Sequence, residues 1–311
     1  MHVRHNGALH TSLRQFVRAL GAAASLTGAA AQAQTAAPDS TPLSVNLQFA
    51  AFINNNAFEC GKSYADVGAS KAILTPTDFR LYVSEVALVN TQGDAVPVKL
   101  TQDGIWQLDN IAFLDFENGA GPCRNGTSPV NTTVRGTVPA GQYRGLKFTV
   151  GLPFAYNHGD ATRAAAPLNN TAMFWNWQGG YRFIKFDATS KAVPGAADVV
   201  DSNAFTAAGG FLVHLGSTQC ASASVTQAPT ACKNPNRMVL NFDNYDLVKT
   251  VVAIDMGEAL AATNVTVNAR RTSPGCMSFE RDADCNAVMG AMGLPYDGQA
   301  APAQQKLFSL R

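Results

Sequence analysis

The side chains with most chemistry to offer gather in one stretch, Met173-Phe174-Trp175-Asn176-Trp177-Gln178-Gly179-Gly180-Tyr181-Arg182-Phe183-Ile184-Lys185-Phe186, which holds two of the three tryptophans and one of the seven methionines. Two imidazoles lie outside it. His158 falls in Leu152-Pro153-Phe154-Ala155-Tyr156-Asn157-His158-Gly159-Asp160, a loop after an expected strand, where functional residues commonly sit. His214 is embedded in the apolar run Phe211-Leu212-Val213-His214-Leu215-Gly216. A thioether and imidazoles in a dry aromatic shell suit a soft ion of low coordination number such as Cu(I), so His158, His214 and Met173 are the candidate metal ligands. Each has a plainer reading: a lone buried imidazole is more often a core residue with its hydrogen bonds made, and aromatics at period two usually fill a sheet interface.

Other chemistries find little support. The chain has no G-x-S-x-G elbow, no G-x-G-x-x-G after an expected strand and no P-loop. The acidic pairs Asp115 with Glu117, and Asp243 with Asp246, read as loop caps and solvated edges rather than as acid and base. No catalytic residue is assigned, and the expectation is a protein that is not itself an enzyme. The six cysteines, Cys60, Cys123, Cys220, Cys232, Cys276 and Cys285, are even in number, as disulfides in an oxidising compartment require. Many connectivities are open to six cysteines. Local spacing favours Cys220 with Cys232 and Cys276 with Cys285 as small closed loops, leaving Cys60 with Cys123. Thiolate metal ligation is the rival reading, and the lack of a C-x-x-C pair weighs against it.

The elements that must position these residues read as short strands between Gly- and Pro-containing turns. Candidate strands run over 44–52, 79–89, 95–100, 106–115, 146–150, 211–215, 237–242 and 248–255, with a further one at 264–269. From Tyr181 to Phe186 strict alternation places Tyr181, Phe183 and Lys185 on one face and Arg182, Ile184 and Phe186 on the other. Trp175 and Trp177 share a face just upstream, so they are expected to form a packed pair walled by Tyr181 and Phe183. Helical periodicity is confined to Glu280–Met292. The expected fold is all-β, a single β-sandwich-like domain over residues 43–311 with long loops and disulfides.

The chain opens like a signal peptide. Arg4, Arg14 and Arg18 come without acidic residues, the apolar stretch 19–26 follows, and Ala31-Gln32-Ala33 is a small-residue cleavage signature. The expected divisions are a signal peptide at 1–33 and a disordered leader at 34–42, giving a periplasmic or secreted protein. No cysteine lies near the cleavage point to carry a lipid, so no membrane anchor is expected. Three of the five histidines, His2, His5 and His10, leave with the leader, and so do the three arginines. The remainder carries 20 basic and 22 acidic residues, too even a balance to recruit nucleic acid or an anionic membrane.

Taken in order, the series Phe58-Glu59-Cys60-Gly61, Asp78-Phe79-Arg80-Leu81-Tyr82-Val83-Ser84, Asp103-Gly104-Ile105-Trp106-Gln107, Leu114-Asp115-Phe116-Glu117, Gly151-Leu152-Pro153-Phe154, Asn157-His158, the aromatic stretch above through Phe183, and Phe211-Leu212-Val213-His214-Leu215-Gly216-Ser217 resembles the MbnP-type proteins. The likeness is to the branch described as metallo-mystery-pair proteins with a four-cysteine motif. The resemblance implies an exported copper-binding protein paired with a di-haem, peroxidase-like enzyme of the MbnH type. In the family that partner oxidises a tryptophan to kynurenine, and the altered protein binds copper. An indole offers a donor N–H and no good lone pair, whereas the opened ring exposes an aryl amine and carbonyls, so modification would create or complete the site. Carried onto this chain, the candidates for oxidation are Trp175 and Trp177, with Trp175 first because it lies nearer Met173. The competing reading is a metal-free β-sandwich module with the aromatic stretch as a ligand platform.

Overall fold

The computed structural model describes residues 41–193 and 210–311, so the expected signal peptide at 1–33 and most of the leader at 34–42 lie outside the described residues. The first strand starts at Leu43 and shows the alternation expected of a half-buried strand: Val45, Leu47, Phe49, Ala51 and Ile53 are buried, and the residues between them are more exposed. It lies at the middle of one sheet. Val251–Asp255 runs parallel on one side, with Phe308–Leu310 beyond it, and Thr133–Val138 runs antiparallel on the other, followed by Lys99–Leu100.

A second, ten-stranded sheet is built around Ala72–Asn90, which is 19 residues long. Its first half pairs with Gly180–Lys191 and its second half with Tyr143–Val150, while Ile111–Asp115 lies along its other edge. Gly210–Gly216 then pairs with the far side of Gly180–Lys191, and Met238–Phe242 with Tyr143–Val150. The two sheets face each other across aromatic contacts: Phe148 of the second meets Phe49 and Phe308 of the first, with ring centroids 5.6 and 5.8 Å apart. Full burial of such a side chain stabilises the fold by about 1.5–3 kcal/mol, so this interface is the core of the β-sandwich.

The pairing favoured by spacing is the one present. Disulfides join Cys60 to Cys123, Cys220 to Cys232 and Cys276 to Cys285. The expected helix at 280–292 contracts to Cys285–Ala291. The expected strand at 264–269 is not formed: Val265 N–H donates to the Ser70 hydroxyl and Thr266 N–H to the side chain of Asn264, so those donors go to side chains instead of a β-ladder. The strand Thr133–Val138 is an element the sequence reading missed, because its alternation is interrupted by Gly136. Gly136 is needed there, since an added Cβ would lie 2.6 Å from Lys99 O of the neighbouring strand.

Candidate functional site

The aromatic stretch folds as a hairpin. Phe174–Asn176 pairs antiparallel with the start of Gly180–Lys191, Phe174 opposite Tyr181 and Asn176 opposite Gly180. Trp175 therefore stands on a strand and Trp177 in the turn that follows, and the expected packed pair does not form. The half-buried Trp175 ring lies 5.7 Å from that of Phe279, and the Arg182 guanidinium sits 5.3 Å from its centroid. Its benzo ring also lies against Gly216, where an added Cβ would come within 2.4 Å of the indole. Trp177 instead lines a separate cleft with Tyr156, Leu168 and Tyr181. Of the expected wall, Tyr181 stays near Trp177, while Phe183 is wholly buried beneath Gly151.

Strict alternation also fails along Gly180–Lys191, for a definable reason. The register against Gly210–Gly216 shifts between Arg182 and Ile184. Such a bulge changes the phase of the pleat, so Arg182 ends up on the same side as Lys185 and Asp187 rather than opposite Lys185. All three converge on His214. Its Nε2 lies 2.6 Å from Asp187 Oδ1, its Nδ1 lies 3.2 Å from the Nε of Arg182, and Lys185 is its cross-strand partner. Since Arg182 can only donate, Nδ1 accepts and Nε2–H donates to Asp187, which makes His214 the neutral tautomer. Burial holds its pKa below the ordinary imidazole value, opposed by Asp187.

The charges continue into the sheet. Lys185 Nζ contacts both Asp78 and Asp187, the latter at 2.8 Å. Arg80, 1% exposed, grips Asp78 through its Nε and Nη2 and has Glu117 at 3.8 Å. Every charge in this buried chain has an opposite partner, as burial demands. Neither Arg182 nor Asp187 was singled out from sequence, because the bulge that aims them leaves no spacing signal.

His158 has different company. It caps the short helix Phe154–Asn157, and its Nδ1–H donates to Trp177 O at 3.0 Å. The lone pair on Nε2 then receives an N–H of Asn157 at 3.1 Å. Asn157 also donates to Ser217 and accepts from Tyr181 N–H, so one amide side chain ties helix, hairpin and strand end together. Cys232 Sγ lies 3.4 Å from Nε2. Because that sulfur is in a disulfide, neither atom of this contact carries a proton. Burial lowers the His158 pKa, opposed by the bond to Trp177 O, and the imidazole is neutral.

An MbnP family model matches residues 42–278, spanning both histidines, both hairpin tryptophans and the strands that carry them. The chain belongs to the MbnP family. A solved structure, MbnP from Methylosinus trichosporium, is similar over 87% of this chain and 98% of that one, at 29% identity and a TM-score of 0.73. No curated protein matches.

Copper, which the MbnP resemblance implies, can be tested against the donors present. Both ring nitrogens of His214 are engaged, by Asp187 and Arg182. Met173 is wholly buried in the core, in the turn whose flanking carbonyls, Ala172 O and Phe174 O, accept from Arg182. The contacts of His158 and His214 share no residue. As folded, both imidazoles already spend their ring nitrogens on hydrogen bonds within the protein. The donors that sequence reasoning missed lie in the cleft beside Trp175, about 500 Å³ in volume, whose lining includes Met277, Glu280, Arg182 and Gln219.

Proposed function

We propose that this MbnP family member is an exported, non-catalytic copper-binding protein whose Trp175 is oxidised to kynurenine by a di-haem, peroxidase-like partner, and that copper uptake depends on that change. The observation that carries the reading is the setting of Trp175: half-buried, lining an open cleft that Met277 also lines, with an imidazole behind Arg182. The state of the unmodified donors supports the same order of events. Imidazoles already engaged in hydrogen bonds leave room for a new donor, and the aryl amine of an opened indole would appear in this cleft. Trp177 is less well placed, since its cleft holds neither a second soft donor nor an imidazole ring nitrogen with a free lone pair.

The chemistry balances as two oxygen atoms added across the indole C2–C3 bond, with the peroxide that supplies them reduced to water, followed by hydrolytic loss of the formyl carbon as formate. The test is peptide mass mapping of the mature protein produced with and without a di-haem partner. A net gain of one oxygen and loss of one carbon at Trp175, with copper retained only by the modified protein, is the expected result. An unmodified Trp175 in protein that nevertheless binds copper would overturn it. Modification at Trp177 would transfer the role to the other cleft.

A further inference from the structure

Beyond the tryptophan site, the Cys220–Cys232 disulfide and His158 form a group of their own. The cysteines sit directly opposite each other in a two-stranded ribbon, Thr218–Cys220 with Cys232–Asn234, outside both main sheets. The two sulfurs and a ring nitrogen of His158 all lie within 4.8 Å of one another. The imidazole is already aimed: Nδ1–H is tied to Trp177 O, which leaves the Nε2 lone pair on the sulfur side with only the Asn157 amide on it. A histidine held through its other nitrogen by a backbone carbonyl is how metal-ligating imidazoles are usually oriented.

The other disulfide with a third donor beside it shows the contrast. Glu117 lies near Cys60 and Cys123, but its carboxylate oxygens are taken by the N–H groups of Gly119 and Thr127. At Cys276–Cys285 both cysteines are buried, at 1% and 0% exposure, whereas Cys232 is half-buried and within reach of a small reductant.

We infer that Cys220, Cys232 and His158 form a redox-masked site for a soft, low-coordinate ion, Cu(I), that the disulfide closes and a dithiol opens. The dithiol supplies two electrons and two protons as the Cys220–Cys232 S–S bond breaks, and is itself oxidised to a disulfide. The two thiols lose their protons on binding the ion, and His158 Nε2 exchanges the Asn157 N–H for the metal. Two thiolates and one imidazole give the three donors that Cu(I) accepts.

The experiment uses the mature chain made without any di-haem partner, so both tryptophans stay unmodified and the result is independent of the oxidation reading. Protein is treated anaerobically with a dithiol, its cysteines are mapped by alkylation, and Cu(I) is offered in competition with a chromophoric Cu(I) chelator. One Cu(I) per chain is expected in the reduced protein and none in the oxidised protein. The Cys220→Ser/Cys232→Ser double variant should lose this binding. His158→Gln should weaken it by at least about 10- to 100-fold, the loss that follows even from removing a partner that only orients a ligand. Near-UV circular dichroism is followed throughout. Failure of the reduced wild type to take up Cu(I), equal uptake by the double variant, an affinity indifferent to His158→Gln, or loss of the near-UV signal on reduction would each overturn the inference.

Discussion

The two histidines that survive the expected leader occupy opposite kinds of surroundings. His214 closes a chain of buried charges running through Asp187, Lys185, Asp78 and Arg80, with Arg182 on its other nitrogen. His158 sits among neutral groups: an amide, a backbone carbonyl and a disulfide sulfur. The difference teaches which imidazole is free to change partners. Removing one member of a buried charge chain strands another charge in low dielectric, whereas exchanging one amide hydrogen bond for a ligand costs far less. The charged region therefore reads as a rigid frame behind Trp175, and the neutral one as adaptable.

The largest effect should come from breaking the charged frame. Arg80→Ala leaves Asp78 held by Lys185 alone and is expected to destabilise the fold by about 3–5 kcal/mol in urea unfolding. A loss below about 1 kcal/mol would mean these charges couple no more strongly than surface pairs, and the contrast would collapse. In the neutral region, Asn157→Ala strips partners from Tyr181 N–H and His158 Nε2 and should cost about 1–3 kcal/mol, read in the same experiment. Gly216→Ala sharpens the comparison from the Trp175 side. Its Cβ would meet the indole at 2.4 Å, so overpacking of about 1–3 kcal/mol is expected, together with a shift in tryptophan emission that disappears in a Trp175→Phe background.

The remaining tests are in pH dependence, and their signs differ. Both imidazoles are held below their ordinary pKa by burial, so the unfolded chain takes up protons first, at about pH 6.5. Their contribution is present above that pH and is lost as pH falls below it; His158→Gln should flatten this limb of the urea stability profile. For Asp187, burial works to raise the pKa, but the hydrogen bond from His214 and the charge and hydrogen bond of Lys185 outweigh it and hold the carboxyl far below its usual range. Its contribution is therefore lost only below about pH 3.9, the unfolded value, and Asp187→Asn should remove that acid limb. Asp115 runs the other way. Burial and the neighbouring Glu117 raise it to about 8, so its contribution is full at low pH and is lost as pH rises toward 8. Asp115→Asn should abolish that decline, since Asp115 Oδ2 has no hydrogen-bond partner to lose.

Much of the architecture was legible in the chain itself. Period-two alternation in Leu43–Ile53 and the apolar run around His214 are local signals, because a strand with a buried face must repeat every second residue. The disulfide pairing was legible from spacing, since close cysteines flanking a loop meet at little cost in chain entropy. The ordered series of motifs was enough to mark the MbnP resemblance, and the family match bears it out. Less legible was how side chains leave those strands. The placement of Trp177 in a turn and the bulge after Arg182 arise from pairing with another strand, and nothing in the local composition encodes a register.

What the sequence determined by itself is the material: which residues are apolar at the right period, which cysteines pair, and that two imidazoles and two neighbouring tryptophans are available for soft-metal and redox chemistry. The tertiary structure decided their company. It separated Trp175 from Trp177, gave His214 to a chain of charges and His158 to an amide and a disulfide, and set Arg182 between an indole and an imidazole. The physical reason is that burial and hydrogen-bond partners are properties of the neighbours a residue acquires from distant parts of the chain, and those neighbours exist only once the sheets have closed on each other.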